Sequence, residues 1–267
     1  MEVKFYKPKN IILQKYIAGY YFFVEDKNSK IFSYLTFPNN YCILSFYKNA
    51  VGKFSDNRYV IKASLEDNIW SSLVTRYIKP IEIIYENMVH EVTIYFKPSA
   101  INHFIDCSLF FKNFTIPEFS PFPDYKEKIS SVFDETNRDR QIELLENHLL
   151  SHFEKKDLGL VEQIIEDIEN DLNQEEIANK YNFTRQHINL LFSKKVGKSP
   201  IEFRKIHRFR NALANCKTSK NLTSLSHQNL FFDQSHFIKD FKKLTGSKPK
   251  DFFKKVNTDQ ENIWFFI

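Results

Sequence analysis

Glycine is scarce in this 267-residue chain, which has five in all. Loops that cradle phosphate use glycine wherever backbone must approach the anion closely, so the scarcity excludes a glycine-rich nucleotide-binding enzyme, and no such motif occurs. Cysteine is scarce as well. Cys42, Cys107 and Cys216 are odd in number, widely separated, and form neither a CxxC pair nor a zinc-site spacing, so all three read as reduced structural thiols. Long apolar runs are missing: no stretch approaches the ~18 residues of a membrane span, and Met1 to Asn10 lacks the apolar centre of a signal peptide. A cytoplasmic protein with no membrane partner is the expectation.

What is present is aromatic mass. With 28 Phe, 13 Tyr and a hydrophobic share of 42%, the chain folds by burial rather than by covalent staples. Its length suits two cores. Aromatic and β-branched runs at Tyr20–Val24, Ile31–Phe37, Tyr41–Tyr47, Tyr59–Ala63, Ile69–Thr75, Ile81–Tyr85 and Val92–Phe96 are bounded by Asn, Asp, Gly, Lys and Pro. They predict a mostly antiparallel β sandwich or barrel. From Ser99 the pattern turns helical, with a proline-rich interruption at Ile116–Pro123 and a helix over Asp139–Glu154. In that helix Ile142, Leu145, Leu149 and Phe153 form one apolar stripe, which either packs on the sheet or meets a partner helix in a homodimer. The expected division is a β-rich sensing or dimerisation domain over 1–156, an all-α domain over 157–256, and a tail over 257–267.

Charge is unevenly placed. Leu172–Val256 holds 18 Lys+Arg against 6 Asp+Glu, a local +12 in a chain of net +5, so the remainder carries −7. That asymmetry is the footprint of phosphate-backbone binding, with a solvated lysine-rich face as the alternative.

Two segments in the basic region repeat one pattern. In the first, a short helix ends near Tyr181, Ala178 is small enough for two helices to cross closely, Asn182 suits a left-handed turn, and Thr184 can cap the next helix. This is a helix-turn-helix signature. Ile188, Leu191 and Phe192 line the inward stripe of the second helix, leaving Arg185, Gln186, Asn189 and Leu190 outward. Outward Gln and Asn can pair with adenine edges in the major groove, and Arg185 with phosphate or guanine. About fifty residues on, Asp233 caps a helix with Phe237, Phe241 and Leu244 inward and Gln234, Ser235, Ile238 and Lys239 outward. Between the units Ser199-Pro200 starts a long helix to about Asn215, with Ile201, Ile206, Phe209 and Leu213 as its packing residues.

The segments Asp233-Gln-Ser-His-Phe-Ile-Lys-Asp-Phe-Lys-Lys-Leu-Thr-Gly-Ser-Lys-Pro and Phe192-Ser-Lys-Lys-Val-Gly-Lys-Ser-Pro-Ile-Glu-Phe resemble the AraC/XylS family of transcription regulators, over about Leu160–Lys255. The resemblance implies a seven-helix domain whose two recognition helices enter adjacent major-groove segments of promoter DNA, usually to activate transcription, with RNA polymerase as the further partner. It puts base reading at Gln186, Asn189 and Leu190 in the first unit and at Gln234, Ser235 and Lys239 in the second; Arg185 and Lys194 complete the expected DNA-binding set. Two departures stand out. Leu190 replaces a frequent arginine and suits a thymine methyl group. Ser226 and Leu230 fall where the second turn usually has small residues and glycine, which points to a distorted turn or weak contacts there. His187, His227 and His236 read as hydrogen-bonded framework.

The sheet region, in Leu13-Gln-Lys-Tyr-Ile-Ala-Gly-Tyr-Tyr, Phe37-Pro-Asn-Asn-Tyr and Thr93-Ile-Tyr-Phe-Lys-Pro, more distantly resembles the cupin-like amino-terminal domains of some family members. These often bind a small effector, dimerise, or do both. Three alternatives remain beside a metabolite sensor. One is control by a protein partner. A metal-dependent cupin-type enzyme needs clustered ligands, yet His90 and His103 are isolated and no HxH occurs. His148 and His152 stand at i, i+4 and could share a metal, but they lack the intervening Glu of a zinc hydrolase and read as two half-exposed helix histidines. A repair fusion with a reactive cysteine lacks the basic or cysteine-rich neighbourhood such a thiol needs. No enzymatic activity, metal or cofactor is expected.

Overall fold

The computed structural model describes residues 4–26, 29–107, 109–113, 115–216, 219, 221–229, 231, 233–255 and 265–266. The strands are β1 (Phe5–Tyr6), β2 (Ile17–Phe23), β3 (Phe32–Thr36), β4 (Cys42–Lys48), β5 (Ala50–Ser55), β6 (Arg58–Ala63), β7 (Ile69–Val74), β8 (Ile81–Tyr85), β9 (His90–Phe96), β10 (Thr115–Ile116) and β11 (Phe265–Phe266). A short helix α1 (Ile11–Tyr16) precedes β2, and α2 (Tyr125–Asp134) and α3 (Arg138–Ser151) follow the sheets. One sheet has the order β1-β2-β9-β4-β7-β10 and the other β11-β3-β8-β6-β5. All pairings are antiparallel except β6 with β8.

The first sheet is covered on both faces, which explains why its central strands are buried almost without alternation. Leu44, Phe46, Val92, Ile94 and Phe96 face a cluster completed by Ile129 and Val132 of α2 and by Ile142, Leu145 and Leu149 of α3. On the opposite face, Tyr21, Tyr47 and Tyr95 meet Tyr34, Tyr59, Ile61 and Tyr85 of the second sheet. The expected α+β class holds. The stripe of α3 is spent inside the chain against the sheet, so the observation that suggested a partner helix is accounted for without one. The helical reading from Ser99 is corrected: among the described residues only the 3-10 turn Ala100–His103 forms before β10, and Ser99 itself takes a left-handed φ of 63°.

Seven helices follow among the described residues: α4 (Gly159–Glu169), α5 (Gln174–Tyr181), α6 (Arg185–Val196), α7 (Pro200–Asn215), α8 (Leu222–Gln228), α9 (Gln234–Thr245) and α10 (Pro249–Lys255). The long helix α7 starts at a capping box of Ser199 and Glu202 with Pro200 in the first turn. Phe203 enters the cluster of α4, α5 and α6, whereas Ile206, Phe209, Ala212 and Leu213 enter that of α8, α9 and α10. Ile201, read from sequence as a packing residue, is instead exposed; the buried row starts at Phe203. One helix thus serves as the wall of two small cores.

The helical domain docks on the sheets through cations. Lys198, between α6 and α7, is only 1% exposed and donates from Nζ to the Thr75 carbonyl at 3.1 Å. Arg210 of α7 donates from Nε to the Pro38 carbonyl at 2.6 Å and from Nη2 to the Phe37 carbonyl. Arg76 pairs with Glu202, Asn40 Nδ2 donates to the Phe203 carbonyl at 3.1 Å, and the Phe37 ring packs edge-on to Phe252 at 4.9 Å.

Burial pulls the Lys198 ammonium from 10.5 down to about 8. The unfolded chain therefore binds more protons between about pH 8 and 10.5, and this group's cost to folding shrinks as pH rises through that window. Replacing Lys198 by Met is expected to raise stability at pH 7 by on the order of 1–2 kcal/mol, with a smaller gain at pH 9. Thermal unfolding of the full chain at both pH values measures this. A loss at pH 7 would mean that the bond to Thr75 outweighs the burial of charge.

Candidate nucleic-acid interface

The first unit is built by caps. Asn173 begins α5 with a capping box: its side chain accepts from the Glu175 and Glu176 amides, and Glu176 Oε2 accepts from the Asn173 amide at 2.6 Å. Asn182 ends α5 at φ 55°, a left-handed conformation that Asn tolerates. Thr184 then caps α6 by accepting from the His187 amide at 3.2 Å. Ile177 and Ala178 are buried where the helices cross, with Ile188, Phe192 and Val196 as the inward row of α6. Gly197 ends α6 at φ 78°, and a Cβ there would stand 2.8 Å from Phe111.

That inward row fixes what α6 presents. Arg185, Gln186, Leu190 and Lys194 are exposed and Asn189 is half-buried. Leu190 keeps 57% of its surface in solvent, unusual for leucine on an otherwise polar face. His187 is exposed and stacks on Phe183 at 4.5 Å.

The second unit repeats the construction. Asn221 caps α8 by accepting from the Ser224 amide at 2.8 Å, and Asp233 caps α9 by accepting from the His236 amide at 2.7 Å. Phe237, Phe241 and Leu244 are buried; Ser235 and Lys239 are exposed. Gln234 is half-buried and accepts from the Thr223 hydroxyl at 2.9 Å, a bond that ties α9 to α8. Ile238 is not fully outward as expected: it is half-buried against the second core. Ser226 lies inside α8 and not in the turn, fully buried with its hydroxyl bonded to the Thr223 carbonyl at 2.8 Å. Leu230, the other residue singled out there, lies outside the described residues. His236 Nε2 stands 3.2 Å from Asp240, and His227 is exposed.

The geometry also sorts the basic charge. Arg204 donates to the Asp171 carboxylate at 2.9 and 2.6 Å and to its carbonyl at 2.7 Å, and Arg208 binds the same carboxylate. Lys180 pairs with Asp167 at 2.6 Å. With Lys198 and Arg210 buried at the domain junction, these cations hold the fold together. Exposed cations remain on α6 (Arg185, Lys194), on α9 (Lys239, Lys242, Lys243) and at or before α10 (Lys248, Lys250, Lys254, Lys255).

Residues 177–255 match a family model described as a helix-turn-helix domain. Residues 177–255 thus form a helix-turn-helix domain. Such a domain is a DNA-binding module. Among solved structures, the chain is similar to ToxT from Vibrio cholerae in a 1.65 Å P21 form, at 13% identity over 88% of this chain and 98% of that one, with a TM-score of 0.47. Unsaturated fatty acid bound wild-type ToxT from Vibrio cholerae strain SCE256 is similar at 12% identity over 89% and 94%, also with a TM-score of 0.47. No curated protein sequence matches the chain.

A second site, which sequence reasoning did not name, lies between the two sheets. Glu91 is fully buried and accepts from the Tyr21 hydroxyl at 2.6 Å, from Thr93 at 2.6 Å, and from Tyr85. Burial pushes its carboxyl above the usual range, and the three hydroxyl donors pull part of the way back. Beside it is a cavity of about 50 Å³ lined mainly by tyrosines, including Tyr34, Tyr59, Tyr77 and Tyr95. A signal was available in the sequence: Glu91 shares the period-two phase of Thr93 and Tyr95, which places a carboxyl on an interior face. No histidine or cysteine is among the cavity's described lining residues, so the ligand cluster of a cupin metalloenzyme is not assembled there.

His148 and His152 also depart from expectation. His148 is buried, not half-exposed, and Asp124 joins the pair: its Oδ1 is 3.0 Å from His152 Nε2 and its Oδ2 3.9 Å from His148 Nδ1.

Proposed function

We propose that α6 and α9 read two adjacent major-groove segments of a promoter, with Arg185, Gln186, Asn189, Leu190 and Lys194 as the contacts of the first unit and Gln234, Ser235 and Lys239 as those of the second. The observation that carries this reading is the outward face of α6, where polar and basic side chains and one exposed leucine stand on a capped helix while the paired cations face elsewhere. Gln186 and Asn189 suit adenine edges, and Leu190 a thymine methyl group. In the second unit Gln234 is engaged with Thr223, so that unit leans more on the phosphate backbone, through Lys239 and the lysines around Gly246. Because one chain holds both units, a monomer suffices to engage both segments.

By resemblance to the family the protein acts as an activator beside RNA polymerase. No helix among the described residues is long and apolar enough to cross a membrane; a cytoplasmic location belongs to the same proposal, because a promoter-binding protein works where the DNA is. We take 1–156 as the sensing domain and 157–256 as the DNA-binding domain. The tail over 257–267 lies outside the described residues except for 265–266, which pair with Leu35 and Thr36 in β3.

The sensing domain responds to a small polar compound held between the sheets. Thr36 and Asn39 line the cavity, and the residues between them, Phe37 and Pro38, accept the Arg210 hydrogen bonds. One short loop thus joins the cavity to the DNA-binding domain, which favours a metabolite over a protein partner. The present cavity holds about one or two waters, so binding requires the sheets to part. Native mass spectrometry of the full chain, purified without denaturation, is expected to reveal a bound polar compound that Tyr95→Phe or Glu91→Gln weakens. A ligand indifferent to both would refute the assignment.

A salt titration tests the DNA reading. Affinity for a promoter fragment should fall steeply with salt as counterions are released. Lys194→Ala is expected to reduce the slope of log K against log salt by about 1 and to weaken all sequences alike. Gln186→Ala should cost about 1–3 kcal/mol on the preferred site and relax its sequence preference. Salt-independent binding, or equal losses from Gln186→Ala on every sequence, would overturn the assignment.

A further inference from the structure

Three side chains meet where the sheet domain hands over to the DNA-binding domain. His148 and His152 lie one turn apart at the end of α3, and Asp124 immediately precedes α2. One ligand atom from each can be chosen so that all lie within 4.8 Å of one another. Two features of this corner are not explained by folding alone.

The first is His148. Its side chain is 2% exposed, and both ring nitrogens are buried with no hydrogen-bond partner. A neutral imidazole always carries one donor and one acceptor, and leaving both unmet in the interior is costly. The second is Asp124. It occupies the N-cap position of α2, where Asp ordinarily accepts from the first-turn amides, yet its side chain makes no capping bond. Its carboxylate turns instead to His152 at 3.0 Å and towards His148. Phe122 closes the corner, stacked on His152 at 4.1 Å and edge-on to His148 at 5.1 Å, so the imidazoles are held by packing on one side.

We propose that Asp124, His148 and His152 form a binding site for a divalent transition metal of the zinc class. Two imidazoles and one carboxylate are a ligand set of borderline-soft ions, and three protein ligands leave a fourth position for water or a further donor. A bound ion would accept the His148 lone pair that now has no partner and would explain why Asp124 does not cap its helix. It would also tie the start of α2 to the last turn of α3. The chain beyond that turn is the connector to α4, held by the Glu154 amide on the His103 carbonyl at 2.8 Å and the Lys156 amide on His103 Nδ1 at 3.1 Å. The metal would thus brace the root of the connector between the two domains.

The test uses the full chain, stripped with a chelator and titrated with Zn²⁺ and with Co²⁺. One equivalent of Zn²⁺ per chain should bind and displace Co²⁺. The Co²⁺ form should show the visible bands of a low-coordinate site without the near-ultraviolet thiolate absorption that Cys42, Cys107 or Cys216 would give. Asp124→Asn should weaken binding at least tenfold. Asp124 is half-exposed and makes no capping bond, so Asp124→Asn is expected to spare the fold, which circular dichroism checks; it decides the matter even if His148→Ala fails to fold. Substoichiometric binding, thiolate absorption, or equal affinity in Asp124→Asn would overturn the proposal.

Discussion

The arrangement of the protein depends on two cations that the DNA-binding domain buries in its neighbour. Lys198 and Arg210 end on backbone carbonyls of Thr75, Phe37 and Pro38, groups left over where strands of the two sheets finish. Burial lowers Arg210 to about 10, which leaves it a cation at neutral pH. Such a cation is tolerated inside a protein only if its donors are satisfied. Those carbonyls are such partners, so the charges that would oppose burial become the reason the domains meet in one register. Both residues flank or belong to α7, the helix that walls the two helix-turn-helix cores. Whatever shifts the loop at Phe37 and Pro38 therefore acts on the element both recognition helices lean on.

This gives a physical meaning to the tyrosine-lined interior. Aromatic side chains at strand spacing are ordinarily core, and most of these are. Glu91 is different, because a carboxyl between two sheets costs stability unless hydroxyls meet it, and three do. Tyr77 and Tyr95 line the same cavity and stand near Arg210. The polar interior and the buried cation thus share a wall.

Much of this was legible in the residues. Seven strands and both helix-turn-helix units follow from period and capping chemistry, because Asn182, Thr184, Pro200 and Asp233 each do locally what their side chains favour. β5 escaped because it is an edge strand with an exposed alternate face and Gly52 and Lys53 inside it. α2 escaped although Tyr125, Ile129, Val132 and Phe133 do recur with helical spacing, because the preceding prolines drew the segment towards a loop. The net charge of the basic region overstated how many of its cations stand free on the surface. No local pattern tells that Arg204 and Arg208 turn to Asp171, or that Lys198 and Arg210 turn inward. Pairing across tens of residues is a property of the fold. The corner of Asp124, His148 and His152 was half legible for the same reason, since the helix supplied the two histidines and only the tertiary structure supplied the carboxylate.

The central claim is that one chain reads DNA through two helix-turn-helix units held at a fixed separation. Selection of binding sites by the full chain from random duplexes tests it most directly. The account predicts two blocks of base preference about one helical turn, or roughly 10 base pairs, apart, the first block sharper than the second. Recovery of sequences without enrichment, or of a single block with nothing at one turn's distance, would contradict it.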